Sequence, residues 1–364
     1  MPKDLFQLDF FKPFELPVLT PKVVAPALVM EPEVRLTKEQ LNSYDRVIVA
    51  QSGGKDSVSC ALDLLEQGLD PSKLEFWHHR VDGWDGDLMD WPCTNSYVEA
   101  LAAALHVPLY FTWRIGGFEG EMLRENSRTA PICFEAPQPD GTVEVVQRGG
   151  EGGSESTRLA FPQVSANLSV RWCSAYLKID QARCALRNQE RFRNSRTLFV
   201  SGERAEESPG RATYAMFEPD DTDARDSPKL ARHIDRYRPV HRWSEADVWA
   251  IIERWGVNPH PSYRLGWSRC SCAGCIFNGA DEYATLRQLN PPQFGKLVGF
   301  ERRFGRTIKR NIDLESLANK GTAFEYSLAD AAAALSPEFT ETILLPTGQW
   351  KLPAGAFSKG GGPS

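Results

Sequence analysis

Short apolar runs alternate with helical patterns through the middle of the chain. The run Arg46–Ala50 is typical of a buried strand, and apolar residues then recur at three- and four-residue intervals from Val58 to Leu65, as on one face of a helix. The same patterns follow downstream, with strands at Leu74–His79, Leu109–Trp113 and Thr197–Ser201 and helices at Tyr97–Leu105 and about Ser174–Phe192. This alternation predicts an α/β fold, a three-layer, doubly wound structure with a mainly parallel sheet.

Proline, glycine and cysteine divide the chain into regions. Residues 1–40 contain six prolines among apolar residues, and we expect an extended Pro-rich arm. The alternating pattern occupies residues 41–256 as one domain, in which the Gly-, Pro-, Gln- and Glu-rich segment 131–156 is predicted to be a flexible insertion. Residues 257–335 are predicted to form a small, helical, Cys-rich C-terminal region, followed by a tail at 336–364.

The composition is that of an ordinary globular protein. The chain has 364 residues, of which 41% are hydrophobic and 25% charged, and this excludes a coiled coil, a collagen or a fully disordered chain. The formal net charge of −6 gives no general attraction to nucleic acid, so such contact requires a local basic patch. No apolar run is long enough to span a membrane, and we expect a cytoplasmic protein without a membrane partner.

The strongest motif is Ser52-Gly-Gly-Lys-Asp-Ser57, which lies between the first predicted strand and the helix behind it. Gly53 and Gly54 allow backbone N–H groups to approach an anion, and the helix N-terminus adds partial positive charge. Lys55 contributes a full charge, while Ser52 and Ser57 contribute hydroxyl groups. The spacing differs from the Walker A and dinucleotide-binding patterns, but the chemistry predicts a phosphate-binding loop.

With this loop and several further blocks, the sequence resembles the PP-loop ATP pyrophosphatases of the adenine nucleotide alpha-hydrolase-like superfamily, specifically their phosphoadenosine-phosphosulfate (PAPS) reductase-like branch. The matching blocks are Phe76–Asp82, Arg171–Lys178, Ser201–Ser208, His260–Tyr263 and Ser271–Cys275. The resemblance covers about residues 45–310. It implies a PP-loop/HUP-like fold that binds an adenine nucleotide, ATP, together with Mg²⁺.

The resemblance also implies which side chains serve the nucleotide. Lys55, Asp56 and Arg204 are the candidate catalytic residues. The candidate nucleotide-binding residues are Ser52, Gly53, Gly54, Lys55, Asp56, Ser57, Asp82, Lys178, Gly202, Arg204 and Arg211. Arginines beyond the end of a strand suit phosphate or sulfate because guanidinium groups bind these anions bidentately. Asp82 could hold Mg²⁺ or a ribose hydroxyl, with nearby Asp85, Asp87 and Asp90 as alternatives.

Three cysteines, Cys270, Cys272 and Cys275, lie within six positions of one another. Thiolates select zinc or iron–sulfur clusters over hard metals. Because related proteins place the Arg171–Lys178 block near this loop, the resemblance adds Cys173 as a fourth ligand. The set would complete a 4Fe–4S cluster or a structural zinc site. Reduced thiols without a metal are the third possibility.

These features predict an enzyme that cleaves ATP between its α- and β-phosphates and activates an acceptor as an adenylate, which sulfur then attacks. The acceptor could be a nucleic acid, since Arg171–Arg196 is locally basic, and a sulfur donor protein could supply the sulfur. A sulfonucleotide reductase is an alternative, although residues 276–364 lack the cysteine nucleophile of thioredoxin-dependent reductases. The other alternative is a non-catalytic nucleotide-binding accessory protein of a mobile-element, CRISPR or DNA-modification system.

Overall fold

The computed structural model describes residues 34–358, which contain one eight-stranded sheet. Residues 1–33 of the predicted arm and the last six residues of the predicted tail lie outside the described residues. The strands are β1 Arg46–Ala50, β2 Leu74–Arg80, β3 Leu109–Arg114, β4 Ile132–Pro137, β5 Val143–Arg148, β6 Arg196–Val200, β7 Phe217–Pro219 and β8 His233–Tyr237. Their order in the sheet is β5-β4-β3-β2-β1-β6-β8-β7.

The five inner strands, from β3 to β8, pair in parallel, and antiparallel strands complete both edges. The chain leaves β1 towards β2 and β3 on one side and returns as β6 on the other side. Open α/β sheets bind ligands at such a reversal of strand order, beyond the carboxyl ends of the strands. The topology therefore predicts a site next to the ends of β1 and β6.

Helices cover both faces of the sheet. Helices in the sheet region are α1 Lys38–Asn42, α2 Lys55–Glu66, α3 Thr94–Ala104, α4 Gly117–Met122, α5 Trp172–Ser174, α6 Asp180–Arg187, α7 Pro209–Ala212 and α8 Glu245–Arg254. Those of the C-terminal region are α9 Ala280–Leu289, α10 Pro291–Phe304, α11 Leu314–Ala318 and α12 Leu328–Leu335. A π-helical segment, Ala175–Ile179, joins α5 to α6. No helix of residues 34–358 is both long enough and apolar enough to cross a membrane.

Alternate residues of β1 belong to different cores, as expected for a strand covered on both faces. Val47 and Val49 are fully buried in the cluster that contains the apolar faces of α2, α3 and α8. Ile48 belongs to the cluster on the opposite face, which includes residues of α6. A third cluster joins the Cys-rich region to α9–α12. The predicted three-layer α/β fold is therefore confirmed.

Two details of the predicted organisation are wrong. Segment 131–156 was expected to be a flexible insertion, but β4 and β5 form an antiparallel hairpin within it. Asp140 and Gly141 make the connecting turn, and Asp-Gly is a favoured hairpin dipeptide, so the local signal was present. The long helix expected over 174–192 is instead divided into the π-helical segment, α6 and a short 3₁₀ turn at Glu190–Phe192.

Candidate functional site

The predicted phosphate-binding loop, Ser52–Ser57, joins β1 directly to α2. Gly53 has φ of 76°, a conformation that favours glycine, and a Cβ there would lie 3.2 Å from the ring of Tyr97. Gly202, after β6, approaches the loop so closely that a Cβ would lie 2.9 Å from the carbonyl carbon of Asp56. Both glycines are therefore required by the way β1, α2 and β6 meet.

The loop is held by hydrogen bonds within the protein. Gln51 Oε1 accepts from the backbone N–H of Gly53 at 3.0 Å and from the hydroxyl of Ser57 at 2.6 Å. The hydroxyl of Tyr263 accepts from the backbone N–H of Lys55 at 2.8 Å. Gln51 and Tyr263 thus fix the loop. A phosphate that accepts hydrogen bonds from the same loop donors would have to replace Gln51 Oε1 and the Tyr263 hydroxyl as their acceptors.

The three candidate catalytic residues form a charge cluster at the start of α2, in which Lys55 and Arg204 are buried and Asp56 is partly buried. The ammonium group of Lys55 donates to the carbonyl of Ser268 at 3.1 Å and lies 3.6 Å from Asp56. Arg204 is 3% exposed and pairs with Asp56 at 2.5 Å. Burial by itself would raise the pKa of Asp56, but Lys55 and Arg204 hold that pKa below its ordinary value. None of the three lines the cleft described next.

Beside the loop is a cleft with two lobes. The larger lobe has a volume of about 330 Å³ and the smaller one about 130 Å³. Both are lined by Val81, Lys178, Ser271 and Cys272, which join the end of β2, the π-helical segment and the Cys-rich loop. Ser52 of the loop lines the smaller lobe. The fold therefore brings four separate sequence blocks to one cavity.

The larger lobe is cationic. Lys178 is exposed and, within residues 34–358, makes no ion pair. Arg171 Nε and Arg269 Nη1 are buried and likewise lack a hydrogen-bond partner among the described residues. Arg211, also in this lobe, pairs with Glu207, which lies 3.4 Å from Arg269 as well. Buried donors without acceptors are costly, and an anionic ligand would satisfy them.

Carboxylate and imidazole groups line the smaller lobe. It contains His78, His79, Asp90 and Thr94. The Nδ1 atom of His78 lies 2.8 Å from the carbonyl oxygen of Gln51, and burial lowers the pKa of this imidazole. The Nδ1 atom of His79 lies 2.6 Å from the hydroxyl of Thr112, and burial lowers the pKa of His79 to about 3.

Asp82 does not line either lobe. Its Oδ2 accepts from the backbone N–H groups of Met89 and Asp90, both at 2.8 Å, so it shapes the turn that presents Asp90. Burial raises the pKa of Asp82 to about 7. Among the carboxylates left open by the sequence, Asp90 is the one in contact with the cleft. The sequence shows several carboxylates after β2 but not which one contacts the cleft. That depends on the path of the turn, so Asp90 could not be distinguished from Asp82.

The four candidate cysteine ligands do not share one position. Cys173, Cys272 and Cys275 line the larger lobe, whereas Cys270 lines only the smaller lobe. Cys270 Sγ lies 4.0 Å from the carbonyl oxygen of Ser52, beside the phosphate loop. In the described part of the chain, no group of three or more His, Cys, Asp or Glu side chains is placed to hold a metal ion. As arranged, these thiols do not fit a four-cysteine centre.

Sequence reasoning missed Gln51, Tyr263 and Arg269 as site residues. Gln51 directly precedes the loop, but nothing in the sequence shows that its side chain turns back to the loop N–H groups. Tyr263 belongs to a block already noted, although its contact with Lys55 spans 208 positions. Arg269 precedes the first cysteine of the cluster and reaches the cleft only through the folded loop.

A phosphate-type loop at the carboxyl edge of a parallel sheet, beside a cleft with cationic and polar lobes, is typical of a nucleotide-binding α/β protein. Residues 153–278, about a third of the chain, match the family model described as phosphoadenosine phosphosulfate reductase domain. The chain therefore carries a PAPS reductase-like domain, and the resemblance predicted from its motifs is confirmed.

The chain is similar to several characterised and uncharacterised proteins over part of its length. It is 34% identical over 150 residues to a 37.8 kDa protein in the gpa 5′ region of Escherichia phage 186, a match that covers 41% of this chain and 42% of that protein. It is 29% identical over 140 residues to the adenosine 5′-phosphosulfate reductase of Allochromatium vinosum, covering 38% of this chain and 45% of the relative. These alignments span less than half of either relative.

Among solved structures, the Candida glabrata FMN adenylyltransferase in complex with FAD and inorganic pyrophosphate is similar at a TM-score of 0.33. The identity is 12%, and the match covers 64% of this chain and 56% of that chain. A TM-score of this size carries no weight for the fold or the function.

Proposed function

We propose that this nucleotide-using protein binds ATP in the two-lobed cleft and cleaves it between the α- and β-phosphates, transferring the adenylyl group to an acceptor. The observation that carries the proposal is the position of Ser52–Ser57 beside a cleft that contains Lys178 and the unpartnered donors of Arg171 and Arg269. A triphosphate is an anion of sufficient charge and length to engage the loop and these cationic groups together.

In the proposed reaction, an oxygen of the acceptor attacks the α-phosphorus, the bond to the β-phosphate oxygen breaks, and pyrophosphate leaves. Lys178 and the neighbouring guanidinium groups would stabilise the negative charge that develops on the leaving group. Lys55, Asp56 and Arg204 would hold the loop and the N-terminus of α2 in place through their buried ion pairs. Mg²⁺ would enter with ATP as part of the substrate, and Asp90 is the candidate carboxylate on that side of the cleft.

Release of pyrophosphate from ATP, with and without candidate acceptors, tests this function. Lys178→Ala should weaken ATP binding and slow pyrophosphate release about tenfold or more, because it removes an unpaired cation from the cleft. Lys229→Ala is the matched control, since Lys229 is exposed and lines neither lobe. Absence of ATP binding by the wild-type protein would overturn the proposal. Binding without turnover by any acceptor would favour the accessory-protein alternative.

Sulfur transfer to a nucleic acid is the finer form of this proposal. The basic segment Arg171–Arg196 supports it less than its composition suggests, because three of its arginines are neutralised by ion pairs. These pairs are Arg183 with Asp221, Arg191 with Glu75, and Arg193 with Glu190. Retention of single-stranded and duplex nucleic acid, measured at several salt concentrations, would show whether the remaining charge is sufficient. The sulfur donor protein stays a prediction.

The iron–sulfur or zinc centre implied by the family also stays a prediction. Because Cys270 lies apart from Cys173, Cys272 and Cys275, no step of the proposed reaction uses an iron–sulfur or zinc centre bound by these cysteines. Iron, sulfide and zinc analysis of protein purified without oxygen tests the prediction. Iron and sulfide in near-equal amounts would require the cysteine side chains to rearrange into a common site. Zinc alone would indicate a structural site.

Adenylyl sulfate is a second candidate substrate, since three of the relatives identified over part of the chain are adenosine 5′-phosphosulfate reductases. The cationic lobe suits a sulfate as well as a phosphate because both are tetrahedral oxyanions. Competition between ATP and adenylyl sulfate for the cleft distinguishes the two functions. Tighter binding of adenylyl sulfate, with sulfite released in the presence of a thiol reductant, would replace the pyrophosphatase proposal.

A further inference from the structure

One acceptor atom in the smaller lobe lacks a partner. The Nε2 atom of His78 is shielded from solvent and makes no hydrogen bond to any residue in the described range. The His78 side chain is 3% exposed and lies in the lining of the lobe. A buried polar atom without a partner costs free energy, and among the described residues with such atoms His78 is the one whose side chain lines the smaller lobe.

The hydrogen bond on the other ring nitrogen determines what His78 Nε2 can do. Nδ1 lies 2.8 Å from the backbone carbonyl oxygen of Gln51, and a carbonyl oxygen can only accept. Nδ1 therefore carries the proton. Burial lowers the pKa of His78, so the ring is neutral and Nε2 presents a lone pair. His78 can accept a hydrogen bond from a ligand, but it cannot donate one through Nε2.

Because His78 Nε2 can only accept a hydrogen bond, the part of a nucleotide that lies against it must be a donor. Phosphate oxygens at neutral pH only accept hydrogen bonds, so they would leave Nε2 unsatisfied. The donors of an adenine nucleotide are the ribose hydroxyls and the amino group of the base. Gln51, the partner of Nδ1, directly precedes Ser52, and its own side chain holds Gly53. His78 is thus adjacent to the phosphate loop, where the ribose follows the phosphates.

The position of His78 in the sheet agrees with this reading. It lies in β2, the strand that pairs with β1, and both strands end at the loop edge of the sheet. In the dinucleotide-binding version of the doubly wound fold, an acidic residue about 20 positions after the phosphate loop accepts a hydrogen bond from a ribose hydroxyl, so an acceptor in this part of the fold has a precedent. Asp90 adds a second acceptor to the same lobe. We infer that His78 is a specificity-determining residue whose Nε2 accepts a hydrogen bond from a ribose hydroxyl of the bound nucleotide.

The inference rests on the proposed function, and the test separates the two. Binding of ATP, 2′-deoxy-ATP, 3′-deoxy-ATP and inosine triphosphate is measured by calorimetry on the full chain. The wild-type protein should bind one of the deoxynucleotides about tenfold more weakly than ATP, because Nε2 is then left unpaired. His78→Asn should lose that preference, since an amide near the Nδ1 position can still donate to Gln51 but offers nothing at Nε2.

Two further variants keep the test informative. His78→Gln can place an amide oxygen near the Nε2 position and should restore part of the preference for ribose. His233→Asn, in β8 on the other side of β1 from β2, is the matched control and should behave as wild type. Equal affinity of the wild-type protein for ATP and both deoxynucleotides would overturn the role of His78 while leaving ATP binding intact. Discrimination against inosine triphosphate alone would assign His78 to the base amino group instead.

Discussion

The phenolic oxygen of Tyr263 accepts a 2.8 Å hydrogen bond from the backbone N–H of Lys55, the first residue of α2. The pair joins the helix behind the phosphate loop to the block that precedes the Cys-rich loop. Tyr263 is 1% exposed, so this bond is shielded from water. Backbone N–H groups in the first turn of a helix have no partner within the helix and commonly bind anions. In α2, one of these groups is bound instead by Tyr263 of the C-terminal region.

Tyr263→Phe should destabilise the ligand-free protein by about 1–2 kcal/mol, because the buried N–H of Lys55 loses its acceptor. If a phosphate replaces Tyr263 at this donor, ATP should raise the melting temperature of the variant more than that of the wild type. Differential scanning fluorimetry with and without ATP measures both effects. Tyr44→Phe is the control, since it removes a buried bond to Asp235 far from the loop and should leave the ATP effect unchanged.

Gly202→Ala should be strongly destabilising, since its Cβ would meet the backbone of Asp56 at 2.9 Å and backbone cannot rotate away. We expect a loss of about 2 kcal/mol or more in urea unfolding, together with weaker ATP binding through displacement of the loop. Gly210→Ala is the matched control eight residues along, where a Cβ would meet nothing within 4 Å. Equal stability of the two variants would contradict the close approach of β6 to α2.

Asp56→Asn should reduce the stability of the protein near neutral pH, because it removes the buried partner of Arg204 and Lys55. The pKa of Asp56 is lowered in the folded state, so its stabilising contribution is present above the unfolded pKa of about 4 and is lost as pH falls through the folded value. The stability difference between wild type and variant should therefore shrink in the acid range. A difference that stays constant down to pH 2 would contradict the ion-pair cluster.

Asp82→Asn should show the opposite pH dependence. Burial raises the pKa of Asp82 to about 7, so its contribution to stability is fully present below about pH 4 and is lost as pH rises to about 7. An asparagine can accept the same N–H groups of Met89 and Asp90 without ionising. Relative to wild type, the variant should gain stability between pH 4 and pH 8, by about 4 kcal/mol at most. Urea unfolding at several pH values measures this gain, and a pH-independent difference would contradict a buried Asp82.

Local patterns in the sequence determined the layers of the fold and its phosphate loop. Apolar runs such as Arg46–Ala50 and the helical spacing behind them depend only on near neighbours, and so does a glycine pair between a strand and a helix. The hairpin within 131–156 also has a local signal, the dipeptide Asp140–Gly141. The prediction of a flexible insertion missed it because that prediction was based on the overall composition of the segment.

Only the tertiary structure decided which of the predicted residues face the cleft. The candidate catalytic residues Lys55, Asp56 and Arg204 form ion pairs at the start of α2 and do not line the cleft, whereas Lys178 does. Cys270 lies 4.0 Å from the carbonyl oxygen of Ser52 and lines only the smaller lobe, whereas Cys275 lines only the larger one. Contacts of this kind join residues more than two hundred positions apart. Their geometry depends on how strands and helices pack, which no local pattern specifies.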